Sequence, residues 1–277
     1  AFTSARVLAT VKTDGGAAIQ ERGVCYSQSA NPTVEDTKVV YGDGLGDYSC
    51  MLLYLEEGTE YHVRAYAVND QGAFYGEDLS FTTLARTYHA DHEYVDLGLS
   101  VMWATCNIGE HMPEKSGDYF AWGETAPKSK YDWSTYLWCN YTNDVWECLT
   151  KYNTQSELGA VDKLTTLSLS DDAARQIWGG EWRMPTSKEI YELLTKCDWE
   201  FKETGYEVIS TVNGNSIFLS AGGCMNGNSI FKPGEHGYYW SNGLLADEAK
   251  NAHVLYFNRK DRSDISLSRS MGCFIRP

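Results

Sequence analysis

The sequence has no tryptophan in its first hundred residues, although the whole chain of 277 residues contains nine. It also lacks any apolar run of transmembrane length, which takes about 20 consecutive residues. None of the eight cysteines forms a Cys-x-x-Cys pair, so the pattern gives no support to zinc-ribbon or thioredoxin-like chemistry. The uneven tryptophan distribution, in a chain long enough for two domains, predicts two domains of different type.

Positive charge is also scarce, because 23 Lys and Arg stand against 38 Asp and Glu and leave a formal net charge of −15. The segments before and after Thr87 are both acidic. Attraction to phosphate dominates nucleic-acid binding, so we do not expect a nucleic-acid partner. From Lys250 to Pro277, six Lys and Arg stand against two Asp and Glu, so this C-terminal stretch is locally basic.

The eight cysteines are too few to build a disulfide scaffold for a chain of this length. If the protein is exported, two pairs are candidates for disulfides, Cys139–Cys148 and Cys224–Cys273. The alternative is that the cysteines are free thiols that pack in the core as small apolar side chains. The sequence leaves both interpretations open.

Residues 1–86 show short alternating segments that are separated by turns, for example around Gly15-Gly16 and Asn31-Pro32. These segments resemble the fibronectin type III-like modules of bacterial surface proteins, and Tyr61 occupies the position of their tyrosine corner. The resemblance implies an all-β sandwich over 1–86 that acts as a spacer. There is little room for a first strand before Thr3, so the module lacks an edge strand or continues upstream.

A polar segment, residues 84–93, follows this module and contains His89, Asp91, His92 and Glu93. Imidazole and carboxylate groups are good metal ligands, so a metal site is one interpretation. Four ligands within five residues cannot easily face one ion. We therefore expect a solvated linker here, and the second domain to cover residues 94–277.

The run from Trp178 to Thr186 places two tryptophans around a Gly-Gly turn and leads through Pro185 into a helical pattern. Thr186 and Glu189 have the spacing of a capping box, which predicts a helix over Ser187–Lys196. We interpret this run as framework. It resembles the corresponding signature of formylglycine-generating-enzyme-like domains, a branch of the C-type-lectin fold.

A larger set of motifs follows in order along residues 94–277. It includes Tyr94–Gly109, Gly117–Thr125, Gly214–Leu219, Gly237–Ser241 and the closing Arg276-Pro277. The set resembles the Fibrobacter succinogenes major paralogous domain, a family of exported bacterial domains. The resemblance implies an α+β, C-type-lectin-like fold after the β-sandwich, and therefore a mixed fold class. It also implies a location at the cell surface or outside the cell, with an upstream lipid anchor left open, since the chain starts at Ala1 as a mature or trimmed fragment.

Possible catalytic groups in the second domain are better explained as structure. Asp171 and Asp172 precede a helical run, where the backbone dipole favours acidic side chains. Cys273 stands without a second cysteine nearby in sequence, which argues against formylglycine-type catalysis. The Glu-Pro-Asn and Trp-Asn-Asp triplets of calcium-dependent lectins do not occur. We therefore expect no catalysis, no bound metal and no cofactor.

With catalysis and metal binding not expected, the remaining class of function is recognition of a ligand. In related receptor-binding domains of the C-type-lectin fold, the last third of the chain displays exchangeable residues on a fixed scaffold. By this analogy the ligand-binding face comprises Asn242, Leu244, Asn258, Arg262, Asp264, Ser266 and Ser268. We expect adhesion to an extracellular glycan or protein ligand. The alternatives are a structural subunit of a fimbria or surface layer, and a formylglycine-type or glycan-modifying enzyme.

Overall fold

A computed structural model describes residues 3–141 and 148–277 of the chain. It is mostly β-sheet, with 42% of residues in strands and 9% in helices, which agrees with the β-rich fold expected from the sequence. Contacts within the chain divide it into two compact units, Ala1–Arg86 and Thr87–Pro277.

In the first unit, residues 3–86 form seven antiparallel strands in two sheets, β1–β4 and β3–β2–β5–β6, and β7 also pairs with β5. The strands are β1 (Ser4–Val11), β2 (Glu21–Ser27), β3 (Thr37–Gly42), β4 (Gly46–Leu53), β5 (Glu60–Asn69), β6 (Gly72–Tyr75) and β7 (Leu79–Thr82).

The core of this unit follows from the alternation of its strands. In β4, Tyr48, Cys50 and Leu52 are buried while Met51 and Leu53 between and after them are exposed. This is the period of two that places alternate side chains on opposite faces of a strand. The predicted tyrosine corner is present, because the backbone N–H of Glu56 donates to the Tyr61 hydroxyl at 3.0 Å.

The described residues of the second unit, 87–141 and 148–277, form eleven strands and two α-helices. They are β8 (Thr87–His89), β9 (His92–Val95), β10 (Trp103–Ala104), α1 (Ala173–Trp178), α2 (Ser187–Lys196), β11 (Cys197–Lys202), β12 (Gly205–Ser210), β13 (Ser216–Ser220), β14 (Cys224–Asn226), β15 (Ser229–Phe231), β16 (Gly237–Leu244), β17 (Asn251–Phe257) and β18 (Arg262–Ser268). The sheets have the orders β10–β9–β8, β11–β12–β13, β14–β15 and β16–β17–β18. None of the helices in the described part of the chain is long and apolar enough to cross a membrane.

The sheet β16–β17–β18 has a buried apolar cluster on each of its faces. Val254 of β17 points into one cluster, which also contains Trp122 and Trp240. Leu255, the next residue, points into the other cluster together with Ile190 of α2. A central strand that is covered on both sides is apolar at consecutive positions, which is the pattern of Val254-Leu255.

Two buried arginines tie loops of the second unit to its last residues. The Arg276 guanidinium donates to the side-chain oxygen of Asn107 at 2.8 Å and to the backbone carbonyls of Ala104, Thr105 and Phe218. Arg269 donates to the backbone carbonyl of Tyr152 at 2.6 Å and to those of Ala249 and Lys151. Four of these carbonyls, those of Thr105, Lys151, Tyr152 and Ala249, lie outside the strands, so the arginine side chains satisfy groups that no strand pairing reaches.

The expectation of a solvated linker over residues 84–93 is wrong for its second half. Residues 87–95 form the hairpin β8–β9, whose His92 stacks on Trp178 with ring centroids 3.8 Å apart. The indole Nε1 of Trp182 donates to the backbone carbonyl of His89 at 2.9 Å. The two histidines thus hold the hairpin on the second unit, which begins at Thr87 and not at residue 94.

One of the two candidate disulfides is present. Cys139 and Cys148 are bonded, whereas Cys224 and Cys273 are free and buried, so the pairing of Cys224 with Cys273 is wrong in this structure. Both free thiols belong to an apolar cluster, where burial raises the pKa of Cys273 well above its usual value. They behave as the alternative interpretation expected, as small apolar side chains.

Candidate functional site

Four of the seven residues that the sequence predicts to bind a ligand lie on one face of β18. Arg262, Asp264, Ser266 and Ser268 alternate along this strand, with Ile265 and Leu267 turned to the opposite, buried side. Because side chains two residues apart point to the same face, the strand displays the four together. We call this set the β18 face. Arg262 and Ser266 are its exposed members.

The charges of the β18 face are held by neighbouring side chains. The Arg262 guanidinium lies over the Trp199 ring, 5.7 Å from its centroid, which is within the range of a cation–π contact. The Asp264 carboxylate contacts Nδ1 of His253 at 3.2 Å. Burial raises the pKa of Asp264, against the opposing effect of His253. The face therefore presents one exposed positive group beside one half-buried acid.

The other three predicted residues, Asn242, Leu244 and Asn258, lie outside β18. Asn258 holds the turn between β17 and β18, because its side-chain oxygen accepts from the backbone N–H groups of Lys260 at 2.7 Å and Asp261 at 3.0 Å. Asn242 is half-buried in β16, and its backbone N–H donates to the carbonyl of Pro185 at 2.8 Å. Leu244 is 5% exposed and belongs to an apolar cluster, so its side chain cannot contact a ligand and we leave it out of the face.

The two adjacent acids of the second unit have structural partners. Asp172 caps α1, since its carboxylate accepts from the backbone N–H of Arg175 at 3.1 Å and from that of Met184 at 2.9 Å. Asp171 binds the Lys151 ammonium and the Tyr152 hydroxyl. The capping interpretation is confirmed for Asp172, and Asp171 joins an ion pair instead.

A cavity of about 360 Å³ lies elsewhere in the second unit, and the predicted site residues do not line it. Its wall is mainly aromatic and apolar, with three charged residues and one histidine at its edges. The lining residues are His89, Tyr94, Val101, Met102, Trp103, Glu181, Trp182, Arg183, Pro185, Glu189 and Pro277. We call it the Trp182 pocket. Its volume is near the lower end of the range for small-molecule sites, about 300–1,000 Å³.

The run that the sequence identifies as framework supplies one wall of this pocket. The helix cap is present as predicted: the Thr186 hydroxyl accepts from the Glu189 N–H and the Glu189 carboxylate accepts from the Thr186 N–H. Trp182 is 7% exposed and contacts the rings of His89, Tyr94 and Trp178. The framework interpretation holds, and the same residues also form the pocket.

Charges in the pocket are arranged so that one acid stays unpaired. Arg183 holds Glu189 with two parallel hydrogen bonds, of 2.9 Å and 2.6 Å. Although burial raises it, the pKa of Glu189 is lowered overall, because Arg183 and Thr186 bind its ionised form. Glu181 is exposed, and its carboxylate has no partner among residues 3–141 and 148–277.

Two side chains among the lining residues carry an N–H group without a hydrogen-bond partner in residues 3–141 and 148–277. The backbone N–H of Glu181 donates to Nε2 of His89 at 3.0 Å, so the neutral imidazole carries its proton on Nδ1. The indole Nε1 of Trp103 is buried and has no hydrogen-bond partner in the part of the chain that the structure describes. A buried donor without an acceptor costs about 1–3 kcal/mol. This nitrogen is inaccessible to solvent, so it is packed against neighbouring atoms and does not open into the cavity.

Two features of the sequence could have pointed to this pocket. His89 and His92 place two imidazole rings in one short segment, and the Trp178–Thr186 run contains two tryptophans. No local pattern brings residues 89, 103, 182 and 277 together. Only the packing of separate loops does.

No set of three or more His, Cys, Asp or Glu side chains in residues 3–141 and 148–277 is arranged to hold a metal ion. Comparison of the chain with models of known protein families, with curated protein sequences and with solved structures found no match. The functional interpretation therefore depends on the geometry of the two surfaces and on the sequence resemblances.

Proposed function

We propose that the protein is a non-catalytic ligand-binding or adhesion protein of the bacterial cell surface, which presents the β18 face to an extracellular partner. The observation that carries this proposal is the alternation of Arg262, Asp264, Ser266 and Ser268 on one face of a strand whose other side is anchored in the core. Side chains with this arrangement can contact a ligand without taking part in the core.

Charge supports a partner of negative or mixed charge at this face. The segment from Lys250 to Pro277 has six Lys and Arg against two Asp and Glu, within a chain of net charge −15. Charges on exposed groups are screened beyond about 8 Å at physiological salt, so the local excess acts on a nearby ligand despite the acidic whole. The Arg262 guanidinium can hold a carboxylate or sulfate with two parallel hydrogen bonds.

The enzyme alternative has less support. A cysteine nucleophile acts as the thiolate, and burial raises the pKa of Cys273 well above the usual range. Cys224, which faces the same apolar cluster, also has its pKa raised by burial, to about 12. Both thiols are at most 1% exposed, so neither is open to a substrate.

The proposal is tested by screening the full chain on arrays of glycans and host extracellular proteins, and by titrating a ligand so found against Arg262→Ala. For an anionic ligand, we expect Arg262→Ala to weaken binding by about 1.5–3 kcal/mol, the range for hydrogen bonds to charged groups. Ser266→Arg should also weaken binding, because it places a long side chain in the centre of the face.

Matched controls come from the first unit. Arg6→Ala removes an exposed arginine, and Ser29→Arg adds one on an exposed loop. Both controls should bind like the parent. If Arg262→Ala and Ser266→Arg fold with the parent's near-ultraviolet circular dichroism and also bind like the parent, the β18 face is not the site.

A structural subunit is the second candidate, and one feature of the first unit favours it. In the described part of the chain, β1 pairs only with β4, and Leu8 of β1 is 74% exposed. A free strand edge with apolar side chains can pair with a strand of another chain. Concentration-dependent assembly of the full chain in sedimentation velocity, abolished by Leu8→Lys, would support this function over adhesion.

A further inference from the structure

We infer that the partner of the β18 face is an extended polypeptide segment, which pairs with the free edge of β18 as an added strand and places an acidic side chain beside Arg262. This inference rests on the proposed function, because it concerns the same face, and it names the chemical class of the ligand. It depends on the backbone of β18, whereas the proposed function depends on the side chains.

The outer edge of β18 has no partner strand in residues 3–141 and 148–277, because β18 pairs only with β17. The opposite edge of the sheet, at β16, is occupied by the C-terminal segment. There the Trp240 N–H donates to the Phe274 carbonyl at 2.9 Å, and the Phe274 N–H donates to the Tyr238 carbonyl at 3.0 Å. Among the described residues, the edge of β18 is therefore the place where this sheet can gain a strand.

The backbone of β18 turns every second residue towards this edge. At one end of the pairing with β17, the Arg269 N–H donates to the Lys250 carbonyl at 3.0 Å. At the other end, the Asn258 N–H donates to the Asp261 carbonyl at 2.9 Å. In an antiparallel ladder, the N–H and C=O of one residue point to the same side, and the side alternates along the strand. The odd-numbered residues therefore bond to β17, and three even-numbered residues turn both groups to the free edge: Arg262, Asp264 and Ser266.

This edge lacks the features that usually block the addition of a strand. Exposed edges in natural proteins are commonly protected by proline, by lysine or by a bulge that twists the strand away. β18 contains neither proline nor lysine, and it pairs with β17 in one register over its seven residues. A second strand can therefore lie along it without a break in the hydrogen-bond pattern.

The side chains of β18 indicate which residues an added strand would carry. Ile265 and Leu267 pack against an apolar cluster but stay partly exposed, whereas Val254 in the neighbouring strand β17 is fully buried. Residues that lie opposite each other on paired strands point to the same face. The added strand would cover Ile265 and Leu267 with one set of alternate side chains and contact Arg262 and Ser266 with the other. The ligand therefore alternates apolar and polar residues.

Charge favours an acidic residue at the start of β18. Three exposed cations, Arg259, Lys260 and Arg262, lie there beside one exposed acid, Asp261. The Arg262 guanidinium can bind a carboxylate with two parallel hydrogen bonds. Charge also disfavours a second copy of this chain as the partner, because two molecules of net charge −15 repel each other.

The unpaired backbone groups favour a polypeptide over a glycan. They recur every second residue, at a spacing of about 7 Å along the strand. Another extended backbone presents N–H and C=O groups at the same spacing, which is how strand addition gives affinity in peptide recognition. A glycan has no such regular alternation of donors and acceptors.

The test uses the full chain and an array of immobilised, capped peptides that are about as long as β18. The peptides alternate Val with Thr, which favour strands, and carry one Glu at a position that varies from peptide to peptide. We expect the chain to bind members of this array and to prefer them to matched peptides with Lys in place of Glu. Arg262→Ala should remove that preference. The peptide that binds best is then titrated in solution by fluorescence anisotropy.

Methylation of the peptide backbone separates strand pairing from side-chain contact. Two versions of the peptide carry N-methyl groups at odd or at even residues. We expect one version to bind at least about tenfold more weakly, because its methyl groups replace the N–H groups that face β18, and the other to bind like the unmodified peptide. This test needs no change in the protein.

Ser266→Pro tests the same contact from the side of the protein. It removes an N–H that faces the free edge and leaves the bonds to β17 in place, so it should weaken peptide binding about tenfold. Ala30→Pro, in the exposed loop between β2 and β3, is the control and should bind like the parent. Near-ultraviolet circular dichroism checks that both variants fold.

The inference is overturned if no peptide binds, if both methylated versions bind like the unmodified peptide, or if folded Ser266→Pro binds like the parent. Self-association of the chain that Ser266→Pro abolishes would assign the edge to a second copy and also overturn it. If no peptide binds but Arg262→Ala weakens the binding of a glycan, the proposed function holds and the strand pairing is wrong. The proposed function fails by a different result, when Arg262→Ala and Ser266→Arg leave the binding of every ligand unchanged.

Discussion

The Trp182 pocket and the β18 face are built in opposite ways. The pocket is assembled from stretches that are far apart in sequence, and Trp182, Arg183 and Glu189 in its wall also hold the hairpin and the helix cap in place. The face lies on one strand, and its exposed members, Arg262 and Ser266, are outside the core. Changes in the pocket should therefore cost stability, whereas changes in the face should alter binding at nearly constant stability.

The largest effect that we expect is that of Trp182→Ala. It should lower the free energy of unfolding by about 3–5 kcal/mol, because it leaves a cavity where a large aromatic side chain was buried. Urea unfolding, followed by far-ultraviolet circular dichroism, measures this. Tyr191→Ala is the control, since Tyr191 is 63% exposed on α2 and should change stability little. If Trp182→Ala and the parent unfold at the same urea concentration, Trp182 does not stabilise the fold and the framework interpretation is wrong.

The position of the domain boundary gives the second prediction. We expect the fragment 87–277 to fold, and the fragment 94–277 to be less stable by about 3 kcal/mol. The shorter fragment loses the stack of His92 on Trp178 and the hydrogen bond from Trp182 to His89, and it exposes Trp182. Thermal unfolding of both fragments checks this. Equal stability would mean that the hairpin is only a linker.

A smaller effect is expected at the helix cap beside the pocket. Thr186→Ala should destabilise the protein by about 1 kcal/mol, because the N–H of Glu189 loses its acceptor. Denaturant unfolding measures the change, and Thr204→Ala, an exposed threonine in the turn between β11 and β12, is the control. If the denaturant midpoint of Thr186→Ala equals that of the parent, the Thr186 cap does not stabilise the start of α2.

The ion pair of Arg183 and Glu189 predicts that the stability of the fold decreases at acidic pH. The folded-state pKa of Glu189 is lowered from the ordinary value of 4.5, so its contribution is fully present above that value and is lost as the pH falls through the folded-state pKa. We expect about 0.5–1 kcal/mol, given that Arg183 is partly exposed. Stability measured between pH 5 and 3 should therefore fall less steeply in Glu189→Gln. Parallel curves would contradict this.

The smallest effect is expected on the β18 face. Asp264→Asn should change the free energy of unfolding by less than about 0.5 kcal/mol, because its pair with His253 is partly exposed and such pairs contribute little. Binding of an anionic ligand should stay equal or improve, since the substitution removes a negative charge next to Arg262. Calorimetric titration measures the binding, and thermal unfolding measures the stability. A large loss of stability would show that the pair of Asp264 with His253 stabilises the fold. The β18 face would then not differ from the Trp182 pocket in this respect.

Features that depend on neighbours in sequence could be predicted. The capping box of α2, the tyrosine corner at Tyr61 and the cap at Asp172 each involve groups a few residues apart, and all three are present. Cys139 and Cys148 are nine residues apart and are bonded. The positions of Arg262, Asp264, Ser266 and Ser268 came from the analogy with related receptor-binding domains, and the structure shows that they alternate along one strand.

The errors concern contacts between distant segments. The hairpin of residues 87–95 has the composition of a linker, but its pairing with β10 and its contacts with Trp178 and Trp182, some 90 residues later, make it part of the second unit. Leu244 looked like an apolar contact residue between scaffold motifs, but it is packed in the core. Cys224 and Cys273 were correctly placed in the interior but are not bonded.

The sequence by itself determined the strand-rich architecture, the caps and turns, and the alternation that gives β18 a displayed side, because these depend on local backbone preferences and on apolar periodicity. The tertiary structure alone decided where the second unit begins, which predicted residues stay accessible, and that Trp103, Trp182 and Pro277 enclose one cavity. A cavity exists where side chains from separate segments meet without filling the space between them, and no local pattern in one segment records what the others contribute.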